Sequence, residues 1–377
     1  MDNQATARFN GHARSMSSRR HKWDPRCSPP HDLVRPVRVD PLGERRPTKG
    51  QAAGPHWRRT TPGFYVPAHV GDEVPEQRIL EQSMRLPEGG AVTGWASCRL
   101  LGGNFFDGLA TDGLTRLPVP LAVGDLAQLA ATLAATVSRD RLDGSEIAWR
   151  AGIPCTKVLR ALFDAARTAP DVREAVVAID MMAAAELASI LQLTRYLQSR
   201  AGWRGVPQVR RALTLASEDS RSPNETRMRL VWELDAGFPR PLVNRPVFDL
   251  DGKLIGIADL IDPVAGVVGE YDGADHRAAK RHARDVAREE NFRRARLEYF
   301  KVTGPDQHDR PLIVQRMQST RDRALWLPKE ECRWTIDPPP GWEGEPSLDE
   351  KLQHRAWMNT LYELYEQEGN PHLPNVS

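Results

Sequence analysis

The chain has 377 residues, 40% of them hydrophobic and 27% charged, which is enough apolar material for two ordered domains with tails. Lys and Arg number 52 against 50 Asp and Glu, so the formal net charge of +2 gives by itself no reason to expect a polyanionic partner. The four cysteines (Cys27, Cys98, Cys155, Cys332) form no CxxC pair and no apolar run approaches the roughly 18 to 20 residues of a membrane span; a zinc ribbon, a disulfide framework, an export signal and a membrane anchor are not expected, and a reducing cytoplasm fits best.

Charge is unevenly spread. Residues 1–59 hold thirteen Lys/Arg and five Asp/Glu, including Arg19, Arg20, Arg45, Arg46, Arg58 and Arg59. Residues 1–55 are rich in Arg, Pro, Ser and Gly and lack hydrophobic periodicity, so a basic arm is expected there, disordered or loosely laid on the folded body. Such an arm is either a solvated tail or an aid to encounter with phosphate backbones that weakens as salt rises. Ordered sequence is expected from Trp57, with GFYVP (63–67) as a strand and PEQRILEQSMRL (75–86) as a helix opened by Pro75. AVTGWASCRLLGG (91–103) reads as a short apolar helix stopped by glycines. Val158, Leu159, Leu162 and Ala165 recur at helical spacing, and residues 171–199 continue in the same manner, so residues 56–205 are read as a mostly helical domain.

From Ser222 the pattern changes to helix, two or three strands, helix, which places a second domain at residues 206–328. Its first helix should run from Ser222 to Ala236 and stop at Gly237 in a left-handed cap. Residues 329–377 read as a proline-rich linker, with Pro338 to Pro340, followed by a C-terminal amphipathic helix through EKLQHRAWMNTLYELYEQ.

The segment RPVFDLDGKLIGIADLIDPVAGVVGEYDGADH (245–276) carries the chemistry. Asp251-Gly252 is a hairpin signal, and Pro263-Val264-Ala265-Gly266 makes a second turn. A hairpin centred on that second turn sets Asp259 opposite Glu270, and strand alternation places Asp272 on the face of Glu270. Three carboxylates on one patch repel unless a cation lies among them, and Mg²⁺ (or Mn²⁺) with oxygen ligands would relieve the repulsion. The plainer alternative is solvated carboxylates at strand ends. His276 follows Asp272 by four residues, where Asp275 can cap the next helix, and its ring could reach the patch as a general acid/base or remain an idle first-turn histidine. Ser222-Pro223-Asn224-Glu225 has the form of a capping box, which is a sufficient structural duty for Glu225, although the carboxylate could also reach the patch. The following helix carries Arg277, Lys280, Arg281, Arg284, Arg288, Arg293, Arg294 and Arg296, either a solvated face or a grip on DNA phosphates.

SPNETRMRL (222–230), IADL (257–260), VVGEYDGADH (267–276) and DVAREENFR (285–293) resemble the very-short-patch-repair-type nucleases of the PD-(D/E)XK, restriction-endonuclease-like superfamily. The resemblance implies an α/β (α+β) fold with a helix-strand-strand-strand-helix core. It implies that Asp259 is the central metal ligand, Glu270 the next acid, Glu225 the first-helix acid and His276 the motif histidine, with Asp285 and Arg288 orienting the helix. Asp272 stands where the superfamily pattern has lysine, a role Lys280 or Lys301 could supply from another element. Upstream, GFYVPAHV, AVTGWASCRLLGG, KVLRALFDAAR and EAVVAIDMM are similar to actinobacterial proteins that join such a module to an AbiEi-type antitoxin domain. The expected function is a cytoplasmic Mg²⁺- or Mn²⁺-dependent DNA endonuclease of repair or defence, holding metal on Asp259, Glu270 and Asp272. The alternative is a non-catalytic antitoxin or DNA-binding transcriptional regulator with a degenerate nuclease fold and a toxin or other protein partner, which Asp272 at the lysine position favours.

Overall fold

The computed structural model describes residues 33–44, 46–125, 127–272, 288–342 and 344–368. Residues 33–55 correct the expectation of a loose arm. The Val34 backbone exchanges two hydrogen bonds with the buried Gln77 side chain (3.0 and 2.9 Å), and Val37 does the same with the Tyr65 backbone (2.8 and 2.9 Å). A short helix α1 (Lys49–Ala52) is closed by a Thr48/Gln51 capping box. Here order comes from satisfied backbone groups rather than from an apolar face, so hydrophobic periodicity gives no sign of it. Residues 1–32 lie outside the described residues.

Strands β1 (Trp57–Thr61) and β2 (Phe64–Pro67) form an antiparallel hairpin, and helix α2 (Pro75–Ser83) starts with proline in its first turn as expected. Next come β3 (Ala91–Val92) and α3 (Gly94–Leu101), the latter ended by Gly102 at φ 114°. Strands β4 (Val119–Ala122), β5 (Ala135–Ser138), β6 (Ile147–Arg150) and β7 (Ile153–Thr156) complete a five-stranded mixed sheet in the order β5-β4-β3-β7-β6. The reading of residues 56–205 as mostly helical is therefore corrected. These strands have four residues or fewer, too few for period-two alternation to stand out.

Helix α4 (Val158–Arg167) packs on α3, and α5 (Val172–Ala184) and α6 (Ile190–Gln198) pack on α4 in the core above this sheet. The stretch 171–199 is thus two helices, the second opened by a Ser189/Gln192 capping box. Helix α7 (Val206–Leu215) buries Val206, Val209, Ala212 and Leu215 in the same core, so the upstream body reaches past the boundary expected near residue 206.

Helix α8 (Pro223–Leu230) begins at Ser222, whose hydroxyl accepts the Glu225 N–H, and runs into a π-helical turn, Val231–Asp235, before Gly237 at φ 68°. There follow β8 (Leu242–Asp249), β9 (Leu254–Asp262), β10 (Val267–Asp272), a helix α9 described over residues 288–294, β11 (Glu298–Thr303) and α10 (Arg310–Arg323). β12 (Trp334–Thr335) and α11 (Leu348–Glu368) end the described chain. The second sheet runs β11-β10-β9-β8-β12, with β8, β9 and β10 antiparallel and β11 parallel to β10. Two buried apolar clusters pack around it, one of Met228, Trp232, Leu260, Phe300, Ile313 and Met317, the other of Val247, Ala258, Val268, Phe292, Tyr299 and Trp334. The whole is mixed α and β structure, and among the described residues no helix is long and apolar enough to cross a membrane.

Two seams join the halves. Helix α5 meets α8 and its π-turn through Arg173–Asp235, Glu174–Arg227 and Asp180–Arg229, each at 2.8 Å. Asp180 and Arg229 are fully buried; burial pushes the Asp180 carboxyl up, against Arg229, the Ser217 N–H and the Thr226 hydroxyl. The segment from residue 329 is more than a linker, because β12 pairs with β8, and α11 then returns to the corner before α6. There the Ser189 hydroxyl donates to Asp349 (2.6 Å), and Lys351 and Arg355 pair with Glu186 (3.2 and 2.9 Å).

Candidate functional site

Strand β9 sets the site. Its ladder with β10 pairs Val267 with Asp262, Val268 with Ile261 and Gly269 with Leu260, the register implied by the Pro263–Gly266 turn. That turn is tightened by Asp262, whose Oδ1 accepts the Val264 and Ala265 N–H groups, and by Gly266 at φ 74°. The ladder stops one residue short of Asp259 and Glu270. There the Asp259 carboxylate, rather than a β9 carbonyl, accepts the Tyr271 N–H at 2.8 Å.

Register carries the pattern across the sheet. Val243–Leu260 and Arg245–Ala258 leave Asn244 of β8 beside Asp259, and β10 pairs Glu270 with Lys301 of β11. Asn244, Asp259, Glu270 and Lys301 thus occupy one row over four neighbouring strands. Asp259 is partly buried, and its carboxyl is pushed up to about 7, first by burial and then by the negative charge of Glu225. Glu270 pushes in the same direction, while the Tyr271 N–H and Arg288 act against it. Asp259, on β9, therefore feels the charge of both Glu225, from α8, and Glu270, from β10.

Glu270 is buried and its Oε2 receives the Tyr299 hydroxyl at 2.9 Å and the Arg288 guanidinium at 2.8 Å. Burial and the Glu270 charge in turn push the Tyr299 phenol up. The Ser222 half of the expected capping box is present, but the Glu225 carboxylate turns elsewhere, accepting the Arg221 N–H at 3.0 Å and the Asn244 amide at 2.8 Å. Asp272 stands at the exposed end of β10 and pairs with Lys301 at 3.1 Å.

Of the residues expected from sequence, Asp259 lies next to Glu270 by register and within the field of Glu225, and Asp272 lies at the rim. His276, Arg277, Lys280, Arg281, Arg284 and Asp285 lie outside the described residues. Arg288, expected on DNA, has its guanidinium on Glu270; Arg293 and Arg294 pair along their own helix with Glu289 and Glu290. Sequence reasoning missed Asn244 and Tyr299. Tyr299 lies two residues before Lys301 and shares its strand face, a signal that needs the β10–β11 pairing to be read. Comparison with protein-family models, curated proteins and solved structures gives no match to this chain.

Among the described residues, no three His, Cys, Asp or Glu side chains stand together as a metal set. Mg²⁺ commonly takes only one or two carboxylates and completes its shell with water and phosphate oxygens. Asp259 with Glu225 meets that requirement: both are hard oxygen donors, and at Asp259, whose carboxyl is raised first by burial and then by the Glu225 and Glu270 charges, a divalent cation would offset the negative charge. Glu270 would join them only by exchanging its contact with Arg288.

Proposed function

We propose that this protein is a Mg²⁺- or Mn²⁺-dependent DNA endonuclease of repair or defence, with a restriction-endonuclease-like module running from α8 to α10. The observation that carries the reading is Asp259, partly buried in a central strand, its carboxyl raised first by burial and then by the charges of Glu225 and Glu270 from separate elements. The order helix, three antiparallel strands, helix, with a fourth strand parallel to the third, supports the module. Asp259 and Glu225 would hold the ion, and Glu270 would join them only on releasing Arg288. The ion, when bound, lowers the pKa of a water and offsets charge gathering on the phosphodiester. Lys301, at the exposed end of β10–β11 beside Asp272, supplies the cation that the superfamily pattern places at the Asp272 position. His276 moves the proton, and Arg277, Lys280, Arg281 and Arg284 meet phosphates.

Purified protein incubated with supercoiled plasmid and Mg²⁺ is expected to nick it, and Asp259→Ala to leave it intact. Equal nicking by both removes the proposal. A second reading, a non-catalytic DNA-binding or antitoxin-like protein, is favoured by Arg288, whose guanidinium sits on Glu270 at 2.8 Å and offsets its charge. DNA retention by wild type and Asp259→Ala alike, without cleavage by either, would select it.

A further inference from the structure

Asn244 has a backbone that its strand does not require. Its φ is 48°, left-handed, inside β8, a conformation that costs energy for any residue but glycine, although Asn tolerates it better than most. The side chain gives the reason. Its Nδ2 donates to two acceptors, the Asp219 carbonyl and Glu225 Oε2, each at 2.8 Å. Because both partners only accept, the amide orientation is settled: the NH₂ end faces them. The Asp219 contact is shared duty, since Arg240, just before β8, already ties the end of α7 to this strand through the Thr214 and Ala216 carbonyls. The Glu225 contact is different. Among the described residues, Glu225 Oε2 has one other donor, the Arg221 N–H of its own helix start. Asn244 therefore links the first-helix acid to the sheet, at the register position beside Asp259.

We infer that Asn244 is a positioning residue that holds the Glu225 carboxylate beside Asp259 and so builds the two-carboxylate divalent-cation site. The inference rests on the metal-dependent reading above. A left-handed strand residue without this task would be served by glycine, which adopts the same φ without strain; the amide is what asparagine adds. Partners that orient a ligating carboxylate typically change metal affinity by roughly 10- to 100-fold when removed.

The test uses the full chain and Mn²⁺ itself, in wild type, Asn244→Gly, Glu225→Gln and the double variant. Mn²⁺ binding is read by electron paramagnetic resonance of free ion, next to the Mn²⁺ concentration giving half-maximal plasmid nicking and the urea unfolding midpoint. Asn244→Gly is expected to raise the Mn²⁺ dissociation constant about tenfold, with its unfolding still cooperative. Glu225→Gln is expected to do the same, and the double variant to bind no worse than Glu225→Gln alone, because the amide acts through that carboxylate. Losses that multiply in the double variant overturn the inference, as does a wild-type dissociation constant in Asn244→Gly. Loss of cooperative unfolding in Asn244→Gly also overturns it, by giving the amide a purely structural task. If wild type takes up no Mn²⁺ and nicks nothing, the nuclease reading falls and this inference with it; if wild type does both and Asn244→Gly equals it, this inference falls alone.

Discussion

Asp259→Asn should stabilise the metal-free protein, and more at alkaline than at acid pH. The variant keeps an oxygen for the Tyr271 N–H and loses the charge that Glu225 and Glu270 oppose. A carboxyl held higher in the folded than in the unfolded chain binds its proton more tightly when folded. The Asp259 contribution to wild-type stability is thus fullest below about pH 4, falls as pH rises through the gap, and levels off above about 7. Between the ordinary 3.8 and about 7, at about 1.4 kcal/mol per pH unit, the loss reaches about 4 kcal/mol. Asp259 is only partly buried, and solvent screening reduces that to about 2 kcal/mol. Urea unfolding with a chelator present should place the variant about 2 kcal/mol above wild type at pH 8, and about a third of that above it at pH 5. Adding Mg²⁺ at pH 8 should then raise the wild-type midpoint and leave the variant where it was. An equal displacement at both pH values would show that the carboxyl is not raised by its surroundings, and the reasoning about a charge-dense site would be refuted.

Arg229→Ala leaves the buried Asp180 without its guanidinium and should cost about 3 to 5 kcal/mol in urea unfolding, while Arg294→Ala, on an exposed pair, should cost under about 1 kcal/mol. Trp232→Ala empties the space between Phe238 and the stacked Phe300 ring and should cost about 3 to 5 kcal/mol; a loss under about 1 kcal/mol would mean that the π-turn is not packed as described. Asp306 accepts from Arg316 and from the Thr303 N–H, which hold its carboxyl down at about 2. Its contribution is present above about pH 4 and lost as pH falls through about 2, so wild type and Asp306→Asn, apart at neutral pH, should converge in midpoint on acidification; a constant gap would contradict this.

Local rules read from the sequence hold where the structure depends on neighbours in the chain. Pro75 and Ser222-Pro223 start their helices, Gly102 and Gly237 close theirs in left-handed backbone, and the Pro263–Gly266 turn aligns β9 with β10. Each of those outcomes is decided within a few residues, by steric limits on φ and by side-chain oxygens reaching adjacent N–H groups, so composition and spacing suffice to find them. The adjacency of Asp259 and Glu270 belongs to the same class, because one short turn fixes it.

What only the tertiary structure decided lies between segments distant in sequence. The five short strands of the upstream sheet take their hydrogen bonds from partners up to dozens of residues away, and the allegiance of α7 is settled by α4 and α5 rather than by its own pattern. Asn244 beside Glu225, Arg288 and Tyr299 on Glu270, and Lys301 beside Asp272 all depend on which strand lies next to which. A carboxylate's chemistry is set by the charges and the water around it, and those are properties of a place in space. The sequence alone determined which acids flank the Pro263–Gly266 turn; folding determined which of them share a field, and which are already held by an arginine, a phenol or a lysine.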